Sequence, residues 1–113
     1  MNILVKTVAA GILSVAAISS AAHAELKSIT IGTNPAGSTF FLIGGGLAKM
    51  YQETLGVRST AQPQGGSSIY LPMINNGEMT LGLSSSMDAG LAYTGESFPE
   101  ASKDLRTLGR IWI

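Results

Sequence analysis

The chain has 113 residues, the size of one small domain, and its seven Lys and Arg balance seven Asp and Glu, so its formal net charge is zero. The basic residues are scattered rather than clustered, which excludes the electrostatic footprint of a nucleic-acid-binding protein. The absence of cysteine excludes disulfides and thiolate metal sites. We expect no cofactor, because no motif for one is present.

The first 24 residues have the pattern of a secretory signal peptide. Lys6 precedes an apolar run from Thr7 to Ile18 that is too short to span a bilayer comfortably, and Ala22-His23-Ala24 supplies the small residues of a cleavage site. We expect cleavage after Ala24 and a periplasmic mature domain of residues 25–113; the alternatives are a buried N-terminal helix or a membrane anchor. Because His23 is the only histidine, the mature chain lacks most nucleophile–base pairs and most zinc sites.

The stretch from Ser28 to Phe41 reads as a buried strand, a turn and the first turn of a helix. Ile29 and Ile31 alternate with small polar residues, as in a strand, and the turn Asn34-Pro35-Ala36-Gly37 ends it. Ser38 or Thr39 is expected to cap the helix that follows. A helix N-terminus presents unpaired N–H groups and the positive end of the helix dipole, so we expect this turn to hold a carboxylate.

A first helix is predicted from Thr39 to Leu55, with Gly56 as its C′ residue. Gly44-Gly45-Gly46 is unusual inside a helix, since each glycine costs about 0.5–1 kcal/mol relative to alanine. Two explanations remain open, which are close packing of the helix on a sheet and helix mobility near a ligand. Residues at spacings of three and four define the expected core face: Phe40, Ile43, Leu47, Met50, Tyr51 and Thr54.

A second strand–turn–helix unit follows. The alternation from Val57 to Gln62 predicts a strand, and Pro63-Gln64-Gly65-Gly66 predicts a turn. Ser67 and Ser68 are the N-cap candidates of a second helix that ends at Asn75-Asn76-Gly77.

A third unit begins with a strand predicted from Met79 to Ser84, which places Met79, Leu81 and Leu83 on one face. A polar turn at residues 84–88 then opens a short helix that runs to about Tyr93. The alternation from Leu105 to Ile113 predicts a fourth strand.

Strands that alternate with helices predict an α/β fold with a mostly parallel sheet and flanking helices. Ligands of such sheets bind beyond the carboxyl ends of the strands. Because each of the three Ser- and Gly-rich turns follows a strand, we expect all three along one edge of the sheet. The chemistry available there is hydrogen bonding by hydroxyl and backbone N–H groups.

Six short motifs occur in a fixed order along nearly all of the mature chain: Ile29-Thr30-Ile31-Gly32-Thr33, Gly37-Ser38-Thr39-Phe40, Gly65-Gly66-Ser67, Gly77-Glu78-Met79-Thr80-Leu81-Gly82-Leu83, Asp88-Ala89 and Leu105-Arg106. This ordered set resembles the TAXI family, the extracytoplasmic solute-binding proteins of tripartite ATP-independent periplasmic (TRAP) transporters. The chain departs from the family pattern at Tyr70, where an Asn is frequent, and at Thr80, where an acidic residue is usual.

The resemblance implies a two-lobed periplasmic binding protein of type II-like architecture, and we expect this chain to be the N-terminal part of lobe one. It implies a receptor that captures a small carboxylate, either an amino acid or a dicarboxylate, and delivers it to TRAP membrane subunits. Half a cleft is expected to bind weakly, without an affinity that calorimetry would measure. The resemblance implies that the first turn binds the carboxylate through Gly37, Ser38, Thr39 and Phe40. It implies further hydrogen-bond donors in the second turn, Ser67 and Ser68, and in the third turn, Ser85 and Ser86.

Two other functions remain open. Small hydroxyl-rich turns also suit tetrahedral oxyanions, so a receptor for phosphate or sulfate is the first alternative. A serine-dependent enzyme that uses the turns as an oxyanion site is the second. Because the sequence has no Gly-x-Ser-x-Gly elbow, Walker lysine or mature histidine base, we expect no enzymatic activity and no catalytic residue.

Overall fold

The computed structural model describes residues 26–111, so the predicted signal peptide and residues 112–113 of the predicted fourth strand lie outside the described residues. The predicted α/β architecture is confirmed, because a three-stranded parallel sheet in the order β2-β1-β3 is flanked by helices. The elements in chain order are β1 (Ser28–Thr33), α1 (Thr39–Leu55), β2 (Arg58–Pro63), α2 (Ser67–Asn75), β3 (Leu81–Gly82) and α3 (Ser86–Thr94).

The central strand β1 divides the core into two layers, because successive side chains of a strand point to opposite faces. Ile29 and Ile31 are 3% and 1% exposed and pack with Ala48 of α1. Gly32 faces the other layer, where Tyr70 lies against it. That second layer is a cluster from α2, α3 and the segment before β3: Tyr70, Leu71, Met79 and Ala92.

The helix α1 begins and ends where the sequence predicts. Ser38 is its N-cap, and the Oγ accepts a hydrogen bond from the Phe41 N–H at 3.1 Å, which satisfies one donor of the first turn. Gly56 follows Leu55 with a φ of 65°, and its N–H donates to the Gln52 carbonyl. The ends of this helix are therefore set by local capping chemistry.

The core face of α1 is centred on small residues. Gly44 and Ala48 are buried, whereas Met50 is 45% exposed and Thr54 is also exposed. The predicted core face is therefore wrong at Met50 and Thr54. The side of the helix that carries Gly44 and Ala48 approaches the sheet most closely, because it has no bulky side chains to hold it away.

The three consecutive glycines of α1 have different surroundings. A Cβ added to Gly44 would lie 2.5 Å from Cγ2 of Thr33 in β1, which is closer than real Cβ atoms approach. A Cβ added to Gly45 or Gly46 would meet nothing within 4 Å. Close packing on the sheet therefore accounts for Gly44 but not for its two neighbours.

The strand β2 runs one residue later than the predicted Val57–Gln62. It lies at an edge of the sheet, where a terminal proline is tolerated because one side of the strand needs no N–H donor. The helix α2 ends as predicted, with Gly77 at a φ of 78°. The helix α3 runs to Thr94, one residue beyond the predicted Tyr93, and Gly95 follows it with a φ of 83°.

The strand β3 is shorter than the predicted Met79–Ser84. Before it begins, Thr80 pairs with Thr30 reciprocally, since each backbone N–H donates to the other's Oγ1, at 3.1 and 3.2 Å. Met79 packs with Tyr70, whereas Leu81 and Leu83 pack in the α1 layer, so the prediction that these three share a face is wrong. Strand alternation starts only at Leu81 and does not extend back to Met79.

The predicted fourth strand is wrong for residues 105–111, which form no strand. The segment before them is held against the helices, because the Ser102 N–H donates to the Ala92 carbonyl at 2.8 Å and the Asp104 N–H donates to Asn75 Oδ1 at 2.9 Å. Leu105 joins the cluster around α2 and α3 rather than a sheet edge. None of the helices within residues 26–111 is long and apolar enough to cross a membrane.

Candidate functional site

The three βα connections lie at one edge of the sheet, because all three strands are parallel. The end of β1 pairs with the end of β2 through Thr33 and Pro63, and with β3 through Gly32 and Gly82. We call the connections that leave these strand ends, residues 34–38, 64–66 and 83–85, the rim. The expectation that the three turns share one edge of the sheet is confirmed by this register.

Backbone hydrogen bonds tie the rim to the strand ends. The Gln64 N–H donates to the Thr33 carbonyl at 2.9 Å, which joins the second connection to β1. The Leu83 N–H donates to the Gly32 carbonyl at 3.0 Å, which joins the third connection to the same strand. Both outer connections are therefore positioned from the central strand.

The first connection forms a depression at the N-terminus of α1. It is open to solvent, has a volume of about 440 Å³ and is lined by Asn34, Ser38, Thr39 and Phe40. Gly37 has a φ of 87°, and the Ser38 N–H closes the turn by donating to the Pro35 carbonyl at 3.1 Å. The helix dipole and the exposed first turn favour an anion in this depression.

A second depression, of about 550 Å³, lies between α1 and the outer edge of β2, away from the rim. Its lining includes Lys49 and Glu53, which form an exposed ion pair at 3.9 Å, and the buried Ser59. No helix N-terminus opens into this second depression, so the first depression, at the N-terminus of α1, has the better chemistry for an anion. Within residues 26–111, no group of His, Cys, Asp and Glu side chains could hold a metal ion.

The second connection differs from its predicted form. Gly66 is the N-cap of α2, with a φ of 148°, and no side chain caps the helix, so the capping role predicted for Ser67 and Ser68 is wrong. The Ser67 hydroxyl instead donates to Oδ2 of Asp88 at 2.7 Å. A carboxylate of the chain itself thus lies at the first turn of α2, where it also interacts favourably with the helix dipole.

The third connection, a polar turn as predicted, ends in a serine that caps α3. Ser85 is the N-cap of α3, and its Oγ accepts from the Asp88 N–H at 3.0 Å. The spacing Ser85-Ser86-Met87-Asp88 matches the capping-box pattern, in which an acidic residue follows the N-cap by three positions. Asp88 therefore links the starts of α2 and α3, since its backbone contacts one serine and its carboxylate another.

Tyr70 and Asn34 are site residues that the sequence analysis did not assign. The Tyr70 hydroxyl donates to the Leu83 carbonyl and lies 3.4 Å from Oδ1 of Asn34, so one side chain of α2 contacts both of the other connections. Burial and, to a smaller extent, the negative charge of Asp88 raise the pKa of Tyr70 to about 12, although a side-chain hydrogen bond with Ser84 works in the opposite direction. The phenol thus remains a donor at neutral pH.

The predicted ligand-binding residues all lie on or beside the rim. Ser67 is brought into direct contact with α3, whereas the first connection is joined to the third through Asn34 and Tyr70. Three of the predicted ligand-binding residues are half-buried, namely Ser38, Phe40 and Ser67. The other five are exposed to solvent, namely Gly37, Thr39, Ser68, Ser85 and Ser86.

The profile of the NMT1-like family matches residues 31–113, a range that contains the whole rim. No curated protein and no solved structure matches the chain. The NMT1-like family consists of binding proteins of the periplasmic type, which are solute receptors rather than enzymes and are typically extracytoplasmic. Because the matched range covers well over half of the sequence, the chain belongs to the NMT1-like family.

Proposed function

We propose that the chain is the N-terminal part of one lobe of the solute receptor of a TRAP transporter, and that it captures a small carboxylate at the rim for delivery to the membrane subunits. The observation that carries this proposal is the depression at the Ser38-capped N-terminus of α1, which lies at the carboxyl ends of three parallel strands. The family match and the TAXI-like motifs support a receptor. The signal-peptide pattern supports release into the periplasm after Ala24.

In the proposed site, Gly37, Ser38, Thr39 and Phe40 surround the carboxylate. The backbone N–H and the hydroxyl of Thr39, the first residue of α1, act as donors. Exposed hydroxyls of the other two turns, those of Ser68 and Ser86, extend the donor set toward the rest of the solute. A second lobe closing over this face would supply the remaining contacts, so binding by this lobe alone is weak.

The charge of the rim favours an amino acid over a dianion. The three connections carry no charged side chain, and Asp88 places a carboxylate beside them through its bond with Ser67. A dianion without a cationic group, such as succinate, phosphate or sulfate, would meet this carboxylate with a second negative charge that nothing in the solute offsets. The ammonium group of an amino acid would instead be attracted to it.

The test is the unfolding temperature of the chain with glutamate, succinate, phosphate or sulfate as sodium salts. Glutamate at ten times its Kd is expected to add about 1.4 kcal/mol of stability, which is about 6–11 °C for a domain of this size, and succinate less. Sulfate and phosphate also stabilise proteins without binding, by exclusion from their surface. Each salt is therefore tested on two variants with the same change in net charge.

Thr39→Glu places a carboxylate in the first turn of α1, so it should abolish the shift that glutamate causes. Gln52→Glu adds the same charge near the other end of α1 and should keep that shift. A shift with phosphate or sulfate alone, lost only in Thr39→Glu, would establish an oxyanion receptor instead. Turnover of an ester that Ser38→Ala or Ser67→Ala abolishes would establish an enzyme, and the absence of any variant-sensitive shift would refute the site.

A further inference from the structure

Tyr70 occupies a slot that two glycines of the sheet leave open. It is fully buried at 0% exposure, in the first half of α2. A Cβ on Gly32 would lie 2.7 Å from Cβ of Tyr70, and a Cβ on Gly82 would lie 3.1 Å from its Cδ2. Because Gly32 and Gly82 are paired across β1 and β3, they form one continuous floor beneath the aromatic ring.

The slot fixes where the hydroxyl of Tyr70 can lie. The ring has no room to move toward either strand, so the hydroxyl is held at the point where β1 and β3 end. There it donates to the Leu83 carbonyl in the third connection and lies 3.4 Å from Oδ1 of Asn34 in the first. No other described side chain of α2 makes a hydrogen bond to both of these connections.

We propose that Tyr70 is a positioning residue, which holds the connection after β1 and the connection after β3 in fixed relation and thereby aligns the N-termini of α1 and α3 at the rim. The functional importance of this positioning role rests on the proposed function, because a receptor needs hydrogen-bond donors of both connections to face the same solute. The contact itself is a property of the free chain and is tested without any solute.

The test is amide hydrogen exchange in Tyr70→Phe, which keeps the ring in its slot and removes only the hydroxyl. The Leu83 N–H, bonded to the Gly32 carbonyl, should exchange about three- to tenfold faster, because losing one hydrogen bond weakens the third connection locally. The Gln64 N–H, bonded to the Thr33 carbonyl in the second connection, should exchange at its original rate.

Tyr51→Phe is the matched control, because it removes a hydroxyl from a half-buried tyrosine of α1 that packs in the other layer. It should change neither exchange rate. Equal acceleration of the Leu83 and Gln64 amides in Tyr70→Phe would mean general destabilisation and would overturn the positioning role. Unchanged exchange at Leu83 would overturn it as well.

A second measurement uses the unaltered protein and does not depend on the variant folding. The Tyr70 hydroxyl proton should be protected from solvent and give its own proton resonance, with a nuclear Overhauser contact to the amide proton of Ser84, which adjoins the accepting carbonyl. A hydroxyl proton that exchanges with solvent too fast to give a resonance would contradict the buried bond. If no solute shifted the unfolding temperature in the thermal test, the proposed receptor function would be refuted, but the expected exchange rates would stay the same.

Discussion

Replacing Tyr70 with alanine is expected to lower the free energy of unfolding by about 3–5 kcal/mol, the range measured for the loss of large buried aromatic side chains. The side chain is fully buried, and the floor beneath it consists of Gly32 and Gly82, which have no side chains to fill the cavity. Small domains have only about 5–15 kcal/mol of stability in total, so this loss would remove a large share of it.

Circular dichroism during urea unfolding measures this effect, and Tyr93→Ala is its control. Tyr93 is 45% exposed, and its ring lies 4.3 Å from Nζ of Lys103, so the same truncation there should cost less than about 1 kcal/mol. Similar losses at the two positions would mean that Tyr70 does not occupy the centre of a packed layer.

Alanine at Gly44 and alanine at Gly45 are expected to change stability in opposite directions. In Gly44→Ala the new Cβ would lie 2.5 Å from Cγ2 of Thr33, which is fully buried and whose hydroxyl bonds the carbonyls of Asn34 and Gln62. Overpacking of this kind costs about 1–3 kcal/mol, while the better helix propensity of alanine returns about 1 kcal/mol. The net result should be a loss of up to about 2 kcal/mol.

Gly45→Ala receives only the gain in helix propensity, because its Cβ would meet no atom within 4 Å. It should therefore stabilise the chain by up to about 1 kcal/mol. Chemical denaturation of both variants under identical conditions gives the comparison. Stabilisation by both substitutions would show that α1 does not approach β1 as closely as the structure has it.

Local chemistry made part of the fold predictable from the sequence. The bounds of α1 follow from a capping serine and a C′ glycine, each of which acts within one helical turn. The shared edge of the three connections follows from strand–helix alternation, because that alternation implies parallel strands.

Other features depend on contacts between residues far apart in the sequence. The alternation of apolar and polar residues at positions 105–111 is compatible with a strand, but a strand also needs a neighbouring strand to pair with. The segment before these residues makes hydrogen bonds to α2 and α3 instead. Ser67 follows a glycine turn as a capping serine would, yet its hydroxyl donates to Asp88, 21 positions away in the sequence. The slot for Tyr70 forms only when β1 and β3 pair.

Amide chemical shifts of the ¹⁵N-labelled chain, recorded as glutamate is added at constant ionic strength, test most directly whether the rim binds a carboxylate. We expect concentration-dependent shifts at Gly37, Ser38 and Thr39, with millimolar affinity, and unchanged signals from Lys49 and Gln52 in the depression beside β2. Shifts confined to that other depression, or rim shifts that sodium chloride reproduces, would contradict a carboxylate site at the rim.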